Sequence, residues 1–158
     1  MEIATHSREE TLALGEQLGK HLRPGDVLLL FGDLGSGKTT LTQGIAYGLG
    51  FPKTEYIRSP SFTLINEYAG NLPIYHVDLY RIDSLEEIET LGLEEIFFGA
   101  GVTLVEWPEK LLRPSGTPGF GIEERIEIRI KIQGETTRTF TIQTVQMKNR
   151  VLPVFSLQ

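Results

Sequence analysis

The stretch that decides the fold is Gly32-Asp33-Leu34-Gly35-Ser36-Gly37-Lys38-Thr39, which matches G-x-x-x-x-G-K-[ST] at every fixed position. Before it, Val27–Phe31 is an apolar run between turn signals, which predicts a strand buried on both faces. After it, residues 39–49 predict a helix that Gly50 is placed to end. A buried strand, a glycine-rich loop and a helix in this order predict a loop that binds phosphates.

The residues of this loop have separate predicted roles in binding a nucleotide. Its glycines let successive backbone N–H groups turn inward around a polyphosphate, and the following helix adds its positive N-terminal dipole. Lys38 is expected to reach the β- and γ-phosphates, and the Thr39 hydroxyl is expected to bind Mg²⁺. The loop residues predicted to contact the nucleotide are Gly35, Ser36, Gly37, Lys38, Thr39 and Thr40.

A phosphate-binding loop also needs an acidic residue at the end of a nearby strand to hold the magnesium ion. Glu106 follows the predicted strand at 102–105, and Asp78 lies at the end of the apolar run at 74–77. Either of them alone can be a solvated acid at a strand end. Because both come directly after apolar strands, we expect at least one carboxylate to face the phosphates.

The identity of the nucleotide base is indicated only by an absence. A GTPase is expected to contain an Asn-Lys-x-Asp motif and Asp-x-x-Gly after a strand, and the chain contains neither string. ATP is therefore favoured over GTP, with Mg²⁺ as its companion ion.

Local patterns predict the rest of the secondary structure. Ser7 and Glu10 form a capping box before leucines at four-residue spacing, which predicts a first helix. Arg125–Ile132 alternates strictly between isoleucine and charged residues, which predicts a half-exposed strand in a hairpin. The other predicted elements are the helix at 7–21, strands at 61–68, 72–79 and 102–105, a short acidic helix at 84–92, a loop at 113–121, and the hairpin partner at 137–145.

Length and composition limit the class of protein. A chain of 158 residues predicts one domain, 1–158, of which we assign 145–158 to a C-terminal tail. The net charge of −6 argues against a free-standing nucleic-acid binder, so no DNA partner is expected. The absence of cysteine excludes disulfides and thiolate catalysis. Residues 1–8 lack a signal-peptide pattern, and the longest mostly apolar run, 96–105, is too short to span a membrane, so we expect a cytoplasmic protein.

Glycine is the residue type in excess. Six of the 17 glycines fall between Gly32 and Gly50, and five more fall between Gly99 and Gly121. The phosphate-binding loop explains three of the first six, namely Gly32, Gly35 and Gly37. Gly50 is placed to end the predicted helix, and the cluster at 99–121 has no explanation from the sequence.

Four strings in this order resemble one protein family. They are GDLGSGKTT at 32–40, SPSFTL at 59–64, YHVDLYR at 75–81 and LVEWPEK at 104–110. Together they are similar to the bacterial TsaE family, ATPases required for making N6-threonylcarbamoyladenosine at position 37 of tRNA. The resemblance covers residues 7–110 and, more loosely, the strands up to 145. Many families share the first string, whereas the third and fourth in this order are much more specific.

The resemblance implies a fold, a cofactor pair and partners. The fold is a P-loop nucleotide-binding fold of the α/β class, with three layers, a mixed and largely parallel central sheet, and added antiparallel hairpin strands. The ligands are ATP and Mg²⁺. The partners are the proteins TsaB and TsaD, and tRNA would be reached indirectly through their complex.

The resemblance also assigns roles to single residues. Thr39 and Glu106 are the implied magnesium ligands, and Trp107 matches the tryptophan beside the nucleotide. Residues 59–63 resemble the switch-like loop of the family, which usually has threonine where Ser61 stands. Thr63 of this loop and Asp78 are the candidates that position the attacking water. The implied catalytic residues are thus Lys38, Thr63, Asp78 and Glu106, and Thr11 falls where the family brings its N-terminal segment against the nucleotide.

Two other functions are compatible with a phosphate-binding loop. A small-molecule kinase usually needs a lid with clustered arginines, whereas the close pair Arg125 and Arg129 alternates onto an exposed sheet face. In a nucleotide-gated binding module, hydrolysis would be incidental. The sequence shows no arginine that is a candidate to contact the phosphates. We therefore expect slow hydrolysis by the chain alone, with a partner completing the site.

Overall fold

Within residues 1–60 and 62–157, which the computed structural model describes, seven strands form one sheet. Ser61, where a strand was expected to begin, lies outside the described residues. The strands are β1 (Glu2–Thr5), β2 (Val27–Phe31), β3 (Ile65–Ala69), β4 (Pro73–Asp78), β5 (Val102–Glu106), β6 (Arg125–Ile132) and β7 (Arg138–Val145). The helices are α1 (Arg8–Gly19), α2 (Lys38–Gly48), α3 (Leu85–Glu89) and α4 (Leu93–Phe97), with a 3-10 turn at Pro108–Leu111.

The order of the strands across the sheet is β1-β7-β6-β2-β5-β4-β3. The four central strands β6, β2, β5 and β4 run parallel, and Leu28 of β2 pairs with Leu104 on one side and Ile126 on the other. The hairpins β3–β4 and β6–β7 are antiparallel, and β1 adds an antiparallel edge to β7. This confirms the predicted mixed sheet, parallel in its middle, with added antiparallel strands.

The two faces of the sheet are covered by different layers. On β2, Leu28 and Leu30 point to the core beneath α1 and α2, whereas Leu29 points to a second core beneath α3, α4 and the 3-10 turn. Every residue of β2 is buried, because apolar layers cover both faces of a central parallel strand. This explains the unbroken apolar run and confirms the three layers.

Helices α1 and α2 pack against each other through glycines. A Cβ atom on Gly15 would lie 2.6 Å from the carbonyl oxygen of Leu41, and a Cβ atom on Gly48 would lie 2.9 Å from the Cα atom of Gly19. Gly44 in turn faces the Cα atom of Gly15. Only residues without a side chain allow the two backbones to approach this closely. Helix packing therefore explains Gly44 and Gly48, which the phosphate-binding loop leaves unexplained.

Several predicted bounds are confirmed and others are wrong. Ser7 caps α1 by accepting a hydrogen bond from the Glu10 N–H at 3.1 Å, and β2 and β6 have the predicted bounds. The strand expected at 61–68 instead begins at Ile65, because Leu64 adopts a left-handed φ of 67° and its N–H donates to the Pro60 carbonyl. Strand β1 and helix α4 were not predicted. β1 depends on β7, from the other end of the chain, and α4 is a single short helix of five residues.

No helix in the described part of the chain combines the length and apolar character needed to cross a membrane.

The segment assigned to the C-terminal tail packs onto the domain. Arg150 donates to both carboxylate oxygens of Asp26, at 2.9 and 2.7 Å, and to the carbonyl oxygen of His21 at 2.9 Å. Phe155 is buried nearby, with its ring 5.9 Å from that of His21. The tail is therefore part of the folded structure.

Arg150→Ala is expected to lower the free energy of unfolding by about 3 kcal/mol, because Asp26 would remain buried without its partner charge. Urea denaturation of the purified variant measures this loss. Lys148→Ala is the matched control, since Lys148 is an exposed cation two residues earlier in the same tail. Equal effects of the two substitutions would contradict a structural role for the buried ion pair.

Candidate active site

A cavity of about 480 Å³ opens at the carboxyl ends of β2, β4 and β5. These strands are parallel, so the residues that follow them meet at one edge of the sheet. The cavity is lined by residues 34–40 after β2, by Asp78 at the end of β4 and by Glu106 at the end of β5, and also by Ser59, Tyr80, Arg81 and Trp107. The structure therefore brings together nine of the eleven predicted site residues; Thr11 and Thr63 lie outside this cavity.

The backbone of the phosphate-binding loop requires glycine at two positions. Gly35 and Gly37 have φ values of 76° and 104°, in the left-handed region that side chains disfavour. From β7, the Arg138 side chain donates to the carbonyl oxygen of Ser36 at 3.1 Å and to that of Gly35 at 3.3 Å. Arg138 thus holds the carbonyl side of the loop. Sequence reasoning missed this residue, which lies about a hundred positions away in a strand without a motif.

Lys38 is held by neutral groups. Its ammonium group donates to the carbonyl oxygens of Gly32 and Asp33, the latter at 3.2 Å, and lies 4.1 Å from the centre of the Trp107 ring. The Tyr80 ring packs against the Trp107 ring, with 4.9 Å between the two ring centres. Burial lowers the pKa of Lys38, although nearby carboxylates act in the opposite direction. In the described residues no carboxylate forms a salt bridge with this lysine, so its charge is available to an anionic ligand.

Two carboxylates lie side by side at the cavity. Asp78 and Glu106 are paired across β4 and β5, and both are buried. Asp78 accepts hydrogen bonds from the Ser59 hydroxyl at 2.7 Å and from the Tyr80 N–H at 2.9 Å. Glu106 accepts a hydrogen bond from Nε2 of His76, which is fully buried beneath it. Both acids are therefore fixed in orientation, and His76 of β4 is hydrogen-bonded to Glu106 on the neighbouring strand β5.

Thr11 and Thr63 do not reach this cavity. The Thr63 hydroxyl is exposed and donates to the side-chain oxygen of Asn66 at 2.9 Å. Thr11 is buried, with its hydroxyl 2.8 Å from that of Thr5. It lines a second cavity of about 250 Å³ on the other side of the phosphate-binding loop. Gly35, Gly37 and Thr40 line both cavities, so the two cavities adjoin each other along the glycine-rich loop.

Arg81 corrects one expectation from the sequence. The sequence showed no arginine as a candidate for the site, whereas the structure places Arg81 in the lining of the main cavity together with Lys38 and Thr39. Its guanidinium carbon lies 4.5 Å from the centre of the Phe62 ring. The available signal was its position three residues after Asp78, just beyond the end of β4, where a side chain can reach the same edge of the sheet.

The residues present fit a magnesium ion that is bound together with phosphates. Within the described residues, no group of three or more His, Cys, Asp or Glu side chains could hold a metal ion. Mg²⁺ is usually bound by one or two protein carboxylates, with waters and substrate phosphates completing its oxygen ligands. Thr39, Asp78 and Glu106 offer a hydroxyl and two carboxylates at one cavity beside the phosphate-binding loop.

The chain is similar to proteins of one family. Residues 5–140 match the family model "Threonylcarbamoyl adenosine biosynthesis protein TsaE". The chain is 45% identical over 149 residues to the tRNA threonylcarbamoyladenosine biosynthesis protein TsaE of Bacillus subtilis (strain 168), covering 94% of this chain and 88% of that protein. It is 36% identical to the protein of the same name from Treponema pallidum (strain Nichols), covering 90% and 99%. The crystal structure of Bacillus subtilis YdiB aligns with a TM-score of 0.71 at 41% identity, covering 92% of this chain and 85% of that one.

Proposed function

Because the chain belongs to the TsaE family, we propose that it is the ATP-binding and ATP-hydrolysing subunit needed to form the threonylcarbamoyl group on adenosine 37 of tRNAs. One observation carries the ATPase part of this proposal. The main cavity, which we call the phosphate cavity, combines the glycine-rich loop, the lysine Lys38 and the two fixed carboxylates Asp78 and Glu106. This is the set of groups that phosphoryl transfer to water requires.

The phosphates of ATP would bind to the loop backbone and to Lys38. Arg138 holds the carbonyl groups of Gly35 and Ser36, and the Ser36 N–H donates to the Asp33 carbonyl at 3.1 Å. The N–H groups that would face the phosphates are therefore those of Gly35, Gly37 and the first turn of α2. Lys38 would exchange two backbone carbonyls for phosphate oxygens, which are stronger acceptors for an ammonium group. Trp107, 4.1 Å from the same ammonium group, then lies beside the phosphates and can report their binding.

The nucleoside would occupy the second cavity. That cavity lies between the start of α1, with Ser7 and Thr11, and the turn of the β6–β7 hairpin, with Glu135 and Thr136. It adjoins the phosphate cavity along the loop, so one nucleotide can extend from one into the other. Thr11 would thus contact the sugar or base; its place in the lining of this cavity supports that role.

The carboxylates of Glu106 and Asp78 would have different roles in hydrolysis. Glu106, oriented by His76, would hold Mg²⁺ together with the Thr39 hydroxyl, and the bound ion would neutralise charge on the phosphate oxygens. Asp78, held by Ser59 and the Tyr80 N–H, would position the attacking water. Thr63 would need a movement of its loop to share this task. The catalysis is positioning and charge neutralisation, as in phosphoryl transfer generally.

The partners we propose are TsaB and TsaD, with tRNA reached through their complex in the cytoplasm. Family membership supports a role among the proteins of this modification pathway. The net charge of −6 supports indirect rather than direct contact with tRNA, since a solitary RNA-binding protein normally carries a basic surface.

The test is depletion of the protein in its host, followed by mass analysis of the nucleoside at tRNA position 37. We expect the threonylcarbamoyl group to be lost, to return with the wild-type chain, and to remain absent with Lys38→Ala. Lys53→Ala is the matched control, because Lys53 is an exposed lysine whose ammonium group contacts Glu16 away from the cavity. Normal modification after depletion would refute the proposed function.

A further inference from the structure

Arg81 is placed to act on a nucleotide but is held by a weak contact. It lines the phosphate cavity, directly after β4, where Asp78 and Tyr80 also contribute to the lining. Its guanidinium group lies over the Phe62 ring, with 4.5 Å from the guanidinium carbon to the ring centre. In the part of the chain that the structure describes, no carboxylate forms a salt bridge with Arg81. Its charge is therefore not committed to an acidic partner.

The contact between the Phe62 ring and the Arg81 guanidinium group is weak. The Phe62 side chain is 82% exposed, so the contact with Arg81 is made in water, where a cation–π pair shifts a conformational equilibrium only about twofold to fivefold. Phosphate oxygens are much stronger partners for a guanidinium group, because they accept charge-assisted hydrogen bonds from its planar fork. A polyphosphate in the cavity would thus draw Arg81 away from the ring.

The other arginines near the site are occupied differently. Arg138 already donates to five backbone carbonyls of the loop and the hairpin turn. Arg129 lies over the Phe31 ring and beside Glu127. Neither lines the phosphate cavity, where Lys38 and Arg81 are the cations.

We propose, resting on the ATPase function above, that Arg81 is a catalytic residue that leaves Phe62 to bind the terminal phosphate of a nucleoside triphosphate. In hydrolysis the water oxygen forms a bond to the γ-phosphorus, and the bond from that phosphorus to the β–γ bridging oxygen breaks. The electron pair of the broken bond leaves with ADP, and the proton of the water passes to the released phosphate. Arg81 stays protonated and stabilises the charge on the γ-phosphate oxygens.

Calorimetric titration of the full-length chain with two ligands tests this role. The ligands are ADP and the non-hydrolysable β,γ-imido analogue of ATP, each with Mg²⁺. Arg81→Gln is expected to weaken binding of the triphosphate analogue about tenfold, and to change ADP binding less than about twofold, since only the analogue has a terminal phosphate for this residue. Phe62→Leu is expected to strengthen analogue binding by about twofold to fivefold, because it frees Arg81.

Arg58→Gln is the matched control. Arg58 is exposed, lies in the same loop as Phe62 and contacts the rest of the protein through its backbone. Opposite effects of Arg81→Gln and Phe62→Leu on the analogue, with Arg58→Gln unchanged, support the proposal, because loss of folding would weaken both. Equal weakening of ADP and analogue by Arg81→Gln, or no weakening, overturns it. If the wild-type chain binds neither ligand, the proposed ATPase function itself is refuted, and this inference with it.

Discussion

Glu106→Gln is expected to lower ATP hydrolysis by about 10²- to 10³-fold while leaving ATP affinity within about threefold of the wild type. Glutamine keeps the volume of the side chain and an oxygen that can accept the hydrogen bond from His76. It removes the negative charge that would hold Mg²⁺ against the γ-phosphate. The hydrolysis rate is measured at saturating ATP with the partner proteins present, and ATP affinity is measured from the fluorescence of Trp107, the one tryptophan of the chain.

Glu109→Gln is the matched control for this substitution. Glu109 lies three residues later, in the 3-10 turn Pro108–Leu111, and does not line the phosphate cavity. Its carboxylate, like that of Glu106, acts electrostatically on Lys38, so this variant controls for the loss of a nearby negative charge. Because Glu109 is exposed and does not face the cavity, we expect hydrolysis to stay within about threefold of the wild type. Equal losses for the two variants would show that Glu106 acts through general electrostatics or stability rather than as a ligand.

A second substitution at this position, Glu106→Ala, separates an ATPase from a nucleotide-gated binding module. If hydrolysis drives or resets the tRNA-modifying assembly, Glu106→Ala will bind ATP and partners but fail to restore tRNA modification. If ATP binding alone is the signal, the variant will restore modification without hydrolysis. The fixed geometry of the two carboxylates favours the first outcome, because a binding module has no need to orient Asp78 and Glu106 so closely.

Gly44→Ala is expected to lower the free energy of unfolding by about 2–3 kcal/mol, with a fall in Tm of roughly 8 °C. In an ordinary helix interior, alanine in place of glycine would stabilise the protein by about 0.5–1 kcal/mol. Here the added methyl group would meet the carbonyl oxygen of Leu12 and approach the Cα atom of Gly15 to 3.0 Å. Both obstacles are backbone atoms of α1, so the helices would have to separate. Thermal unfolding followed by circular dichroism measures the change.

Gly134→Ala is the control for this prediction. Gly134 lies in the turn of the β6–β7 hairpin, and the nearest atom to an added Cβ would be 3.9 Å away, on Thr137. We expect its Tm to stay close to that of the wild type. A Gly44→Ala variant as stable as the wild type would show that α1 and α2 can shift apart without cost, contrary to the close packing of their backbones.

The helix contact also affects the site. Helix α2 begins at Lys38 in the phosphate-binding loop, and α1 carries Thr11 at the neighbouring cavity. Separating the helices would move these two groups relative to each other. We therefore expect Gly44→Ala to weaken nucleotide binding as well as stability.

Signals between residues close in the chain were sufficient for much of the fold. The apolar run of β2, the cap at Ser7 and the alternation of Arg125–Ile132 each predict an element from its own residues, because helix caps and side-chain periods are local. The glycine-rich loop after β2 likewise identifies one wall of the cavity. Asp78 and Glu106 could be found because both stand at ends of apolar strands, and the ends of parallel strands share an edge.

Other features could not be predicted because they depend on residues brought together from distant parts of the chain. β1 needs β7 as a partner, and the loop carbonyls of Gly35 and Ser36 need Arg138. For Thr63, a local sequence pattern suggested a position that the tertiary structure does not give it. Its position in a switch-like string suggested a role at the phosphates, but the turn before β3 directs its hydroxyl to Asn66.

The sequence by itself determined the glycine-rich loop, the strand and helix on either side of it, and the acids at the strand ends. These follow from chemistry between neighbours along the chain. Only the tertiary structure decided that His76 orients Glu106, that Arg81 lies over Phe62 at the cavity, and that glycines of α1 meet those of α2. The physical reason is that hydrogen bonds and packing act over a few ångströms in space, and the sequence does not state which distant residues come within that range.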